Sequence, residues 1–567
     1  MVKYFMIRFH IRCAVIISLL TLCFVQAYSI DRAKHAMVVS GSMKASEAGV
    51  QILQQGGNAI DAAVAVGYTL AVVFPEAGNI GGGGFALVRM KNGASMVVDF
   101  RETAPGHATR DMYLDKTGKP NGKSVDGDLA VAVPGTVAGF VKMFELGGKL
   151  RISDLLKPAI KFAQEGFVVD RHLADNLKAY KESLVKFPST AALYFPGGVM
   201  LKEGDTLRQP DLAATLQRIA EQGADGFYKG ATAAFISEEM KKNGGIINEQ
   251  DLMNYRAVMR NPLVGSYRGY SIITVPPPSS GGVSLLQMLG MMEPFSFDAS
   301  DFHSSRAVHL MAEAMKRAFA DRYEFAADPD FIHVAVDTLI SPKYIKSLQA
   351  DVDSVRAIPA VKVKHGVVQE HEGNNTTHFV IADEEGNVVS VTYTLNDLFG
   401  NKVVVPGAGF FLNDEMDDFS TKPGEANMYG LPGTEKNSIA PGKRPVSSMT
   451  PTIVMKDHVP VLVLGARGGP RIVTSVFQAI MNVIDFKMNI DQAINTPRFH
   501  HQLFPDTLIY EPRSFSDDVL KDLRTRGFNL SPTETKVARM EALYRDPKTG
   551  WFFSGADRRE DGGTAGY

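Results

Sequence analysis

The pattern of hydrophobic and polar positions predicts two long helices before residue 330. One covers Asn58 to Val73, an alanine- and valine-rich run that follows the breaker Gly56-Gly57. The other covers Ser304 to Ala326 and carries polar residues on its second face. The apolar positions of this second helix recur at helical spacing and are Val308, Met311, Met315 and Phe319. Such a stripe indicates side chains that pack in a protein core.

A polar segment separates these helices from the strand-rich part of the chain. Residues 351–375 lack aromatic side chains and show no sustained hydrophobic period. A segment of this kind cannot bury a regular apolar face. We therefore expect residues 361–375, the last part of this segment, to be exposed and mobile.

The pattern switches to strands at Thr376. Thr376 to Ala382 and Val388 to Leu395 are strand-like, and the turn Asp383 to Asn387 joins them. A hairpin that is symmetric about the middle of this turn places Thr394 opposite Thr376.

Further strands and one more helix follow the hairpin. Pro451 to Met455 and Val459 to Leu464 are strand-like, and Pro470 to Phe486 has a helical pattern. Glycine and proline clusters at Gly81–Gly84 and Pro276–Gly282 match neither a dinucleotide fingerprint nor a phosphate loop. They predict tight turns at which two backbones pass closely.

The first residues have the pattern of a secretory signal. A basic segment with Lys3, Arg8 and Arg12 precedes an apolar run from Ala14 to Val25, and cleavage is expected after Ala27. A membrane anchor is the alternative, but the run is shorter than the roughly 20 residues that span a bilayer. We therefore expect a periplasmic or secreted protein without a stable membrane anchor.

Composition narrows the classes of function. The chain has 567 residues, of which 45% are hydrophobic and 22% charged, and its formal net charge is −2. No long basic run is present, so nucleic-acid binding is not expected. The only cysteines, Cys13 and Cys23, lie inside the predicted signal. The mature protein would therefore have neither disulfides nor thiolate chemistry.

Thr376 is a candidate nucleophile because a mobile segment ends there. A threonine hydroxyl is a poor nucleophile unless a base lies beside it, and an N-terminal threonine has its own α-amine, with a pKa of roughly 7.7–8.0. An internal threonine becomes N-terminal by attacking the preceding carbonyl, here that of Asn375, to form an ester that water cleaves. The alternatives are a simple strand start or a glycosylation sequon around Asn375.

The wider sequence resembles the γ-glutamyltransferase family, in its bacterial form, over nearly the whole mature chain. The motifs that carry the resemblance are Gly56–Ala63, Asp99–Glu102, Pro277–Gly282, Asn375–His378, Val391–Asn396, Met416–Phe419, Arg444–Met449, Pro497–His501 and Thr564–Tyr567. The resemblance implies an α+β fold, the four-layer αββα sandwich of N-terminal-nucleophile hydrolases. It also implies a heterodimer cut from one precursor, with a signal at 1–27, a large subunit at 28–375 and a small subunit at 376–567.

The resemblance assigns catalytic roles to residues of the small subunit. Thr376 matches the nucleophile and, with Asn375, the cleavage site. Thr394 matches the threonine whose hydroxyl hydrogen-bonds the nucleophile, and Gly468 and Gly469 match the oxyanion hole. The two glycines precede Pro470 at a predicted helix start, where free N–H groups and the helix dipole favour a developing negative charge.

The resemblance also assigns substrate-binding roles. Arg101 matches the arginine that binds the substrate α-carboxylate, to which a planar guanidinium is suited. Ser447 and Ser448 match hydroxyl donors to the same carboxylate. The residues that match the ammonium site are Asn396, Glu415 and Asp418, and Tyr429 lies in a segment, Pro423 to Gly433, that matches the lid loop. Out of context, these residues could equally form surface ion pairs and turns.

The expected substrates are glutathione, other γ-glutamyl compounds and amino-acid acceptors. No metal or cofactor is expected, because His500 and His501 are adjacent rather than at ligand spacing. Two alternatives remain: a cephalosporin (glutaryl) acylase on the same fold, and a binding protein that does not react. The chain departs from the family pattern Gly-Ser-Pro-Gly-Gly-Ser-Arg at Ala466, Arg467 and Pro470, and Arg467 adds a charge near the site.

Overall fold

The computed structural model of the chain describes residues 31–364, 376–425, 427–428, 430–431, 433–533, 535–559 and 562–567. The strands in chain order are β1 Arg32–Ala33, β2 Met37–Ser40, β3 Gly83–Arg89, β4 Ser95–Asp99, β5 Phe167–Val168, β6 Thr206–Leu207, β7 Val258–Arg260, β8 Leu263–Tyr267, β9 Tyr270–Thr274, β10 Thr377–Ala382, β11 Val388–Thr394, β12 Thr452–Lys456, β13 Val459–Arg467, β14 Phe499–His500, β15 Ile509–Tyr510, β16 Arg539–Arg545, β17 Phe552–Ala556 and β18 Gly563–Gly566.

The helices are likewise numbered in chain order. They are α1 Met43–Gln54, α2 Ala59–Val73, α3 Thr136–Glu145, α4 Ile152–Glu165, α5 Arg171–Ala179, α6 Lys181–Leu184, α7 Pro188–Tyr194, α8 Pro210–Gln222, α9 Asp225–Tyr228, α10 Gly230–Asn243, α11 Glu249–Asn254, α12 Gly281–Met292, α13 Ser305–Phe325, α14 Val336–Leu339, α15 Pro342–Ala350, α16 Arg471–Ile484, α17 Ile490–Asn495 and α18 Asp517–Arg526.

Two seven-stranded antiparallel sheets form the centre of the molecule. Sheet I has the strand order β1-β17-β16-β13-β12-β9-β8, and sheet II has the order β18-β2-β10-β11-β3-β4-β7. Strands from before and after Thr376 are interleaved in sheet II, because β10 pairs with β2 and β11 pairs with β3. The parts of the chain on either side of Thr376 therefore share one hydrogen-bonded sheet.

The buried side chains divide into layers that follow the alternation of the strands. On β10, Val380 and Ala382 belong to a core between the two sheets, whereas Phe379 and Ile381 pack with the helices that cover sheet II. Helices α12, α13 and α16 pack on the other side, against sheet I. The order of layers is helix, sheet, sheet, helix, which confirms the αββα sandwich.

The two helices expected from the hydrophobic pattern are present. Helix α2 begins one residue after Asn58, whose side chain accepts hydrogen bonds from the N–H groups of Ile60 and Asp61. Asp383, in the turn of the β10–β11 hairpin, accepts a hydrogen bond from the N–H of Ala59 at 2.9 Å. The hairpin turn thus contributes to the N-terminal cap of α2.

The second expected helix, α13, is capped by Ser304 and buries the apolar stripe identified from its spacing. Two of its buried charged residues also bind the segment that follows α15. The amide N–H of Ile358 donates to Glu313 at 3.2 Å, and Lys316 donates to the carbonyl oxygen of Ile358 at 2.6 Å. These bonds hold the backbone just before residues 361–375, the segment expected to be exposed and mobile. Within that segment Val361 is 83% exposed and Val363 is buried, and residues 365–375 lie outside the described residues.

The glycine run Gly81–Gly84 lies against β11, as expected for a turn where backbones meet. A Cβ atom on Gly82 would collide with the carbonyl oxygen of Thr394. Only a residue without a side chain permits this approach, so the glycine run determines how closely the loop before β3 contacts the end of β11.

The expected signal at 1–27 lies outside the described residues. Within the described ranges, none of the helices combines the length and hydropathy that a bilayer crossing requires.

Candidate active site

The β10–β11 hairpin has the register predicted from the sequence. Thr377 pairs with Tyr393, and His378 pairs with Thr392. Continued by one residue, this register places Thr376 opposite Thr394. Both threonines are buried, with 4% and 2% of their surface exposed. The Oγ1 atom of Thr394 accepts a hydrogen bond from the N–H of Asn396 at 2.9 Å. This bond fixes the hydroxyl of Thr394 at the open end of the hairpin.

One pocket collects most of the residues singled out in the sequence. It is lined by Arg101, Arg322, Thr376, Thr394, Asn396, Glu415, Asp418, Leu431, Ser447, Ser448, Met449, Gly469, Pro470 and Ile472. Asn375 and Tyr429 lie outside the described residues. The pocket is formed where the ends of β10 and β11 meet the loops that follow β4 and precede β12.

Arg101 lines the pocket and is fully buried, two residues after the end of β4. Its guanidinium forms ion pairs with Glu415 and Asp418, and Glu102 lies 3.4 Å away. Burial alone would lower the pKa of Arg101, but these three carboxyl groups hold it above its ordinary value. The arginine is therefore a permanent cation within a cluster of carboxyl groups.

The carboxyl groups outnumber the cations at this end of the pocket. Burial raises the pKa of Glu102 to about 7, although Arg101 opposes the shift. Burial also raises the pKa of Glu415 well above its usual value, again against the effect of Arg101. These raised pKa values mean that additional positive charge would be favourable here. A ligand ammonium could supply that charge.

Ser447 and Ser448 are held by the proline-serine loop before α12. The N–H of Ser447 donates to the carbonyl oxygen of Pro278 at 3.1 Å, and the Oγ of Ser280 donates to the carbonyl oxygen of Ser447 at 2.8 Å. Loop-to-loop backbone pairing thus fixes the two serines at the wall of the pocket.

Arg322 is a pocket residue that the sequence analysis missed. It lies near the end of α13, and its Nη2 donates to the Oγ of Ser448 at 3.3 Å. The apolar stripe of this helix predicts only a core element. The polar face at the C-terminal end of α13 was the available signal, but the sequence does not show that this face meets Ser448.

Asn396 connects the end of the β10–β11 hairpin to the acidic segment Asp414–Asp418. Its backbone is in the left-handed region with φ 78°, which asparagine tolerates better than most residues. Its Nδ2 donates to the carbonyl oxygen of Asp414 at 3.1 Å and contacts the Sδ of Met428 at 3.5 Å. Asn427 in turn donates to Asp418 at 3.0 Å. The described part of the segment 423–433 therefore contacts Asn396 and Asp418.

Gly468 and Gly469 connect β13 to α16. Their φ angles are +135° and +54°, a region that favours glycine. The N–H groups of Arg471 and Ile472 donate to the carbonyl oxygens of Gly468 and Gly469 at 3.1 Å each. The positive end of the α16 dipole therefore lies at this loop, and Gly469 contributes directly to the pocket.

Arg467, immediately before these glycines, is buried beside the nucleophile strand. Its Nη1 lies 3.5 Å from the carbonyl oxygen of Thr376. Its guanidinium lies over the ring of Phe74, 5.0 Å from the ring centre. Arg467, which departs from the family pattern, thus contacts Thr376 itself. Within the described residues, no group of three or more His, Cys, Asp or Glu side chains is arranged to hold a metal ion.

A protein-family model and curated relatives both match most of this chain. The family model described as Gamma-glutamyltranspeptidase matches residues 45–567. A glutathione hydrolase proenzyme of Escherichia coli (strain K12) is 46% identical over 538 residues, which cover 94% of this chain and 92% of that protein.

Two solved structures also align with the chain. The γ-glutamyltranspeptidase of Helicobacter pylori is 47% identical with a TM-score of 0.56, over 59% of this chain and 96% of that one. A cephalosporin acylase from Bacillus halodurans is 28% identical with a TM-score of 0.84, over 96% of this chain and 98% of that one. The similarity to both structures extends the sequence match to the fold.

Proposed function

This chain belongs to the γ-glutamyltranspeptidase family, and on that premise we propose that it is an autoprocessing γ-glutamyltransferase. It cleaves the γ-glutamyl amide bond of glutathione and related compounds through an ester on Thr376. The γ-glutamyl group then passes to water or to an amino acid or peptide.

One observation carries this proposal. The hairpin register places Thr376 opposite Thr394, in a pocket that also contains the Arg101–Glu415–Asp418 ion cluster. A reactive hydroxyl and a site for a zwitterionic group therefore lie within one small cavity. Family membership alone would not place both groups there.

Maturation begins with the hydroxyl of Thr376. Its oxygen attacks the carbonyl carbon of Asn375, and the peptide C–N bond breaks as the nitrogen gains a proton and becomes the α-amine of Thr376. The resulting ester is hydrolysed by water, which leaves a carboxylate on Asn375 and restores the hydroxyl. Thr394 orients the hydroxyl during this attack.

Turnover uses the groups that maturation creates. The α-amine accepts the proton of the Thr376 hydroxyl as its oxygen attacks the γ-carbonyl of the substrate. The N–H groups of Gly468 and Gly469 stabilise the resulting oxyanion. The amine then donates the proton to the leaving nitrogen, and water or an acceptor amine attacks the ester by the same steps in reverse.

When substrate binds, its two charged groups replace the ion pairs that Arg101 forms with Glu415 and Asp418. The substrate α-carboxylate binds Arg101, Ser447 and Ser448, while its α-ammonium binds Asn396, Glu415 and Asp418. Arg101 already contacts Glu415 and Asp418, and a zwitterion can separate these charges without leaving either one buried and unpaired. A ligand that carries only one of the two charges would leave either Arg101 or the carboxyl groups without a partner of opposite charge. The described contacts of the lid segment, in which Tyr429 lies, support its role as a cover for this site.

We also propose processing and export of the chain. Signal cleavage after Ala27 and self-cleavage before Thr376 would yield a large subunit of residues 28–375 and a small subunit of residues 376–567, in the periplasm or outside the cell. The interleaved strands of sheet II support a stable heterodimer, since β10 hydrogen-bonds to β2 across the proposed cut.

A cephalosporin acylase is the second candidate, because a protein of that activity has a similar structure over almost the whole chain. A glutaryl group lacks the α-ammonium, so it would leave Glu415 and Asp418 without a cation partner. Assays with a glutaryl anilide and a γ-glutamyl anilide discriminate the two, and we expect turnover of the γ-glutamyl compound.

Mass spectrometry and N-terminal sequencing of the purified protein test the proposal directly. The smaller fragment should begin Thr-Thr-His-Phe and should become acylated when γ-glutamyl anilide is added. An intact chain that binds but does not cleave this substrate would instead indicate a binding protein.

A further inference from the structure

A buried cation lies directly behind the proposed nucleophile. Arg467 is the last residue of β13 and only 3% exposed. Its Nη1 is 3.5 Å from the carbonyl oxygen of Thr376, at the long limit of a hydrogen bond. A charge that is shielded from water acts on its neighbours more strongly than a surface charge does.

The same cation is close to the Thr376 nitrogen. The carbonyl oxygen and the nitrogen of one residue are three bonds apart, so Nη1 is no farther than about 8 Å from that nitrogen. In the uncut chain this nitrogen is an amide that does not titrate. After cleavage it is an amine that titrates near neutral pH.

Several charged or titratable groups interact with Arg467. They are Glu76 after α2, His172 in α5, Arg539 and Glu541 on β16, and Asp557 after β17. Asp170 and Lys536 act in turn on Glu76 and His172. Burial raises the pKa of Glu76 to about 7 and that of Glu541 to about 8, so both carboxyl groups lose negative charge as the pH falls below these values. Burial, together with Arg539, lowers the pKa of Arg467 to about 9, which leaves it cationic at neutral pH.

We propose that Arg467 is a positioning residue that makes the α-amine of the cleaved Thr376 less basic. The proposal rests on the proposed function, because only self-cleavage creates this amine. A nearby cation disfavours the ammonium form, so a larger fraction of the amine is the free base that accepts the hydroxyl proton. Arg467 therefore extends activity toward lower pH.

The test is the pH profile of kcat/KM for a γ-glutamyl anilide in three variants. Arg467→Met should move the acid limb of the profile upward by about one pH unit, as expected for a unit charge at this distance. At pH 6 this shift corresponds to a loss of up to about tenfold, and at pH 9 to almost none. Arg467→Lys should match the wild type at pH 6, where a lysine is charged even though burial lowers its pKa as it does that of Arg467. The substrate titrates identically in all variants, so differences report the enzyme.

Arg545→Met is the matched control. Arg545 also lies over a phenylalanine ring, 5.7 Å from the centre of Phe552. It occupies the opposite end of β16 from Arg539, the residue that pairs with Arg467. At about 3.3 Å per residue, this end is roughly 20 Å away. Its acid limb should coincide with that of the wild type.

Periodate provides a readout that does not depend on turnover. It oxidises N-terminal threonine through the free amine and the adjacent hydroxyl, so its rate against pH reports the amine directly. The midpoint should rise by about one unit in Arg467→Met and stay unchanged in Arg467→Lys. Equal midpoints and equal acid limbs in wild type and Arg467→Met would overturn the proposal.

Two further outcomes are distinguishable. If Arg467→Met fails to mature, the arginine is needed before any amine exists, and the proposal is overturned while the function stands. If wild-type protein yields no fragment that begins at Thr376, the proposed function fails, and the role of Arg467 fails with it.

Discussion

The two ends of the pocket are assembled from different parts of the chain. The reaction end consists of Thr376, Thr394 and the Gly468–Gly469 loop, all from the part of the chain after residue 375. The recognition end joins Arg101 to Glu415, which is 314 positions away along the chain, and adds Ser447 and Ser448 from another loop. The reaction end presents hydroxyls and backbone to the pocket, whereas the recognition end presents charge. Substitutions at the two ends should therefore separate maturation and chemistry from substrate binding.

The largest expected effect is at the reaction end. Thr376→Ala removes the proposed nucleophile, so the precursor should remain uncut and activity should be undetectable. Thr377→Val is the matched control, because it changes the neighbouring threonine, whose buried hydroxyl has no hydrogen-bond partner in the described structure. Denaturing gels and mass spectra report both variants. Two fragments from Thr376→Ala would show that another residue performs the cleavage.

The next effect is at the recognition end. Arg101→Lys keeps a positive charge but loses the planar guanidinium group, which can bind a carboxylate through two parallel hydrogen bonds. We expect kcat/KM for a γ-glutamyl anilide to fall by about 10- to 150-fold, equivalent to about 1.5–3 kcal/mol, mainly through KM. Maturation should proceed, because self-cleavage involves no substrate carboxylate. An unchanged kcat/KM would mean that Arg101 does not contact the substrate.

A smaller effect should appear for Thr394→Val, which preserves shape and removes the hydroxyl. Losing one neutral hydrogen bond should slow both self-cleavage and kcat by about 3- to 10-fold, with little change in KM. A time course of precursor disappearance, measured beside steady-state kinetics, gives both rates. Slow turnover with normal cleavage would limit Thr394 to the mature site, and wild-type rates in both would remove it from the reaction end.

The smallest effect concerns Arg322, which the structure adds to the recognition end. Arg322→Gln removes the hydrogen bond to Ser448, so KM should rise about two- to fivefold while kcat and maturation stay unchanged. Arg306→Gln, at the exposed start of the same helix, is the control, since Arg306 lies near Asp301 and Ser296 instead. Equal KM values for the two variants would show that Arg322 does not act on substrate binding.

Much of the reaction end could be predicted because its geometry is local. Strand alternation and a short turn determine a hairpin register, so Thr394 opposite Thr376 follows from counting along the chain. Helix α2 likewise begins directly after a residue, Asn58, that is suited to cap it. The contacts of Ile358 could not be predicted in this way, because buried side chains of α13 bind its backbone although the surrounding segment has no apolar period.

The sequence by itself determined the hairpin register, the principal helices and, through its motifs, the family and its αββα fold. Only the tertiary structure decided which charges meet: Arg101 with Glu415 and Asp418, Arg322 with Ser448, and Arg467 with Thr376. The physical reason is the range of the interactions. Backbone hydrogen bonding and side-chain alternation act between near neighbours and leave a period in the sequence. Ion pairs between distant loops leave no period, because they depend on how the sheets and loops pack.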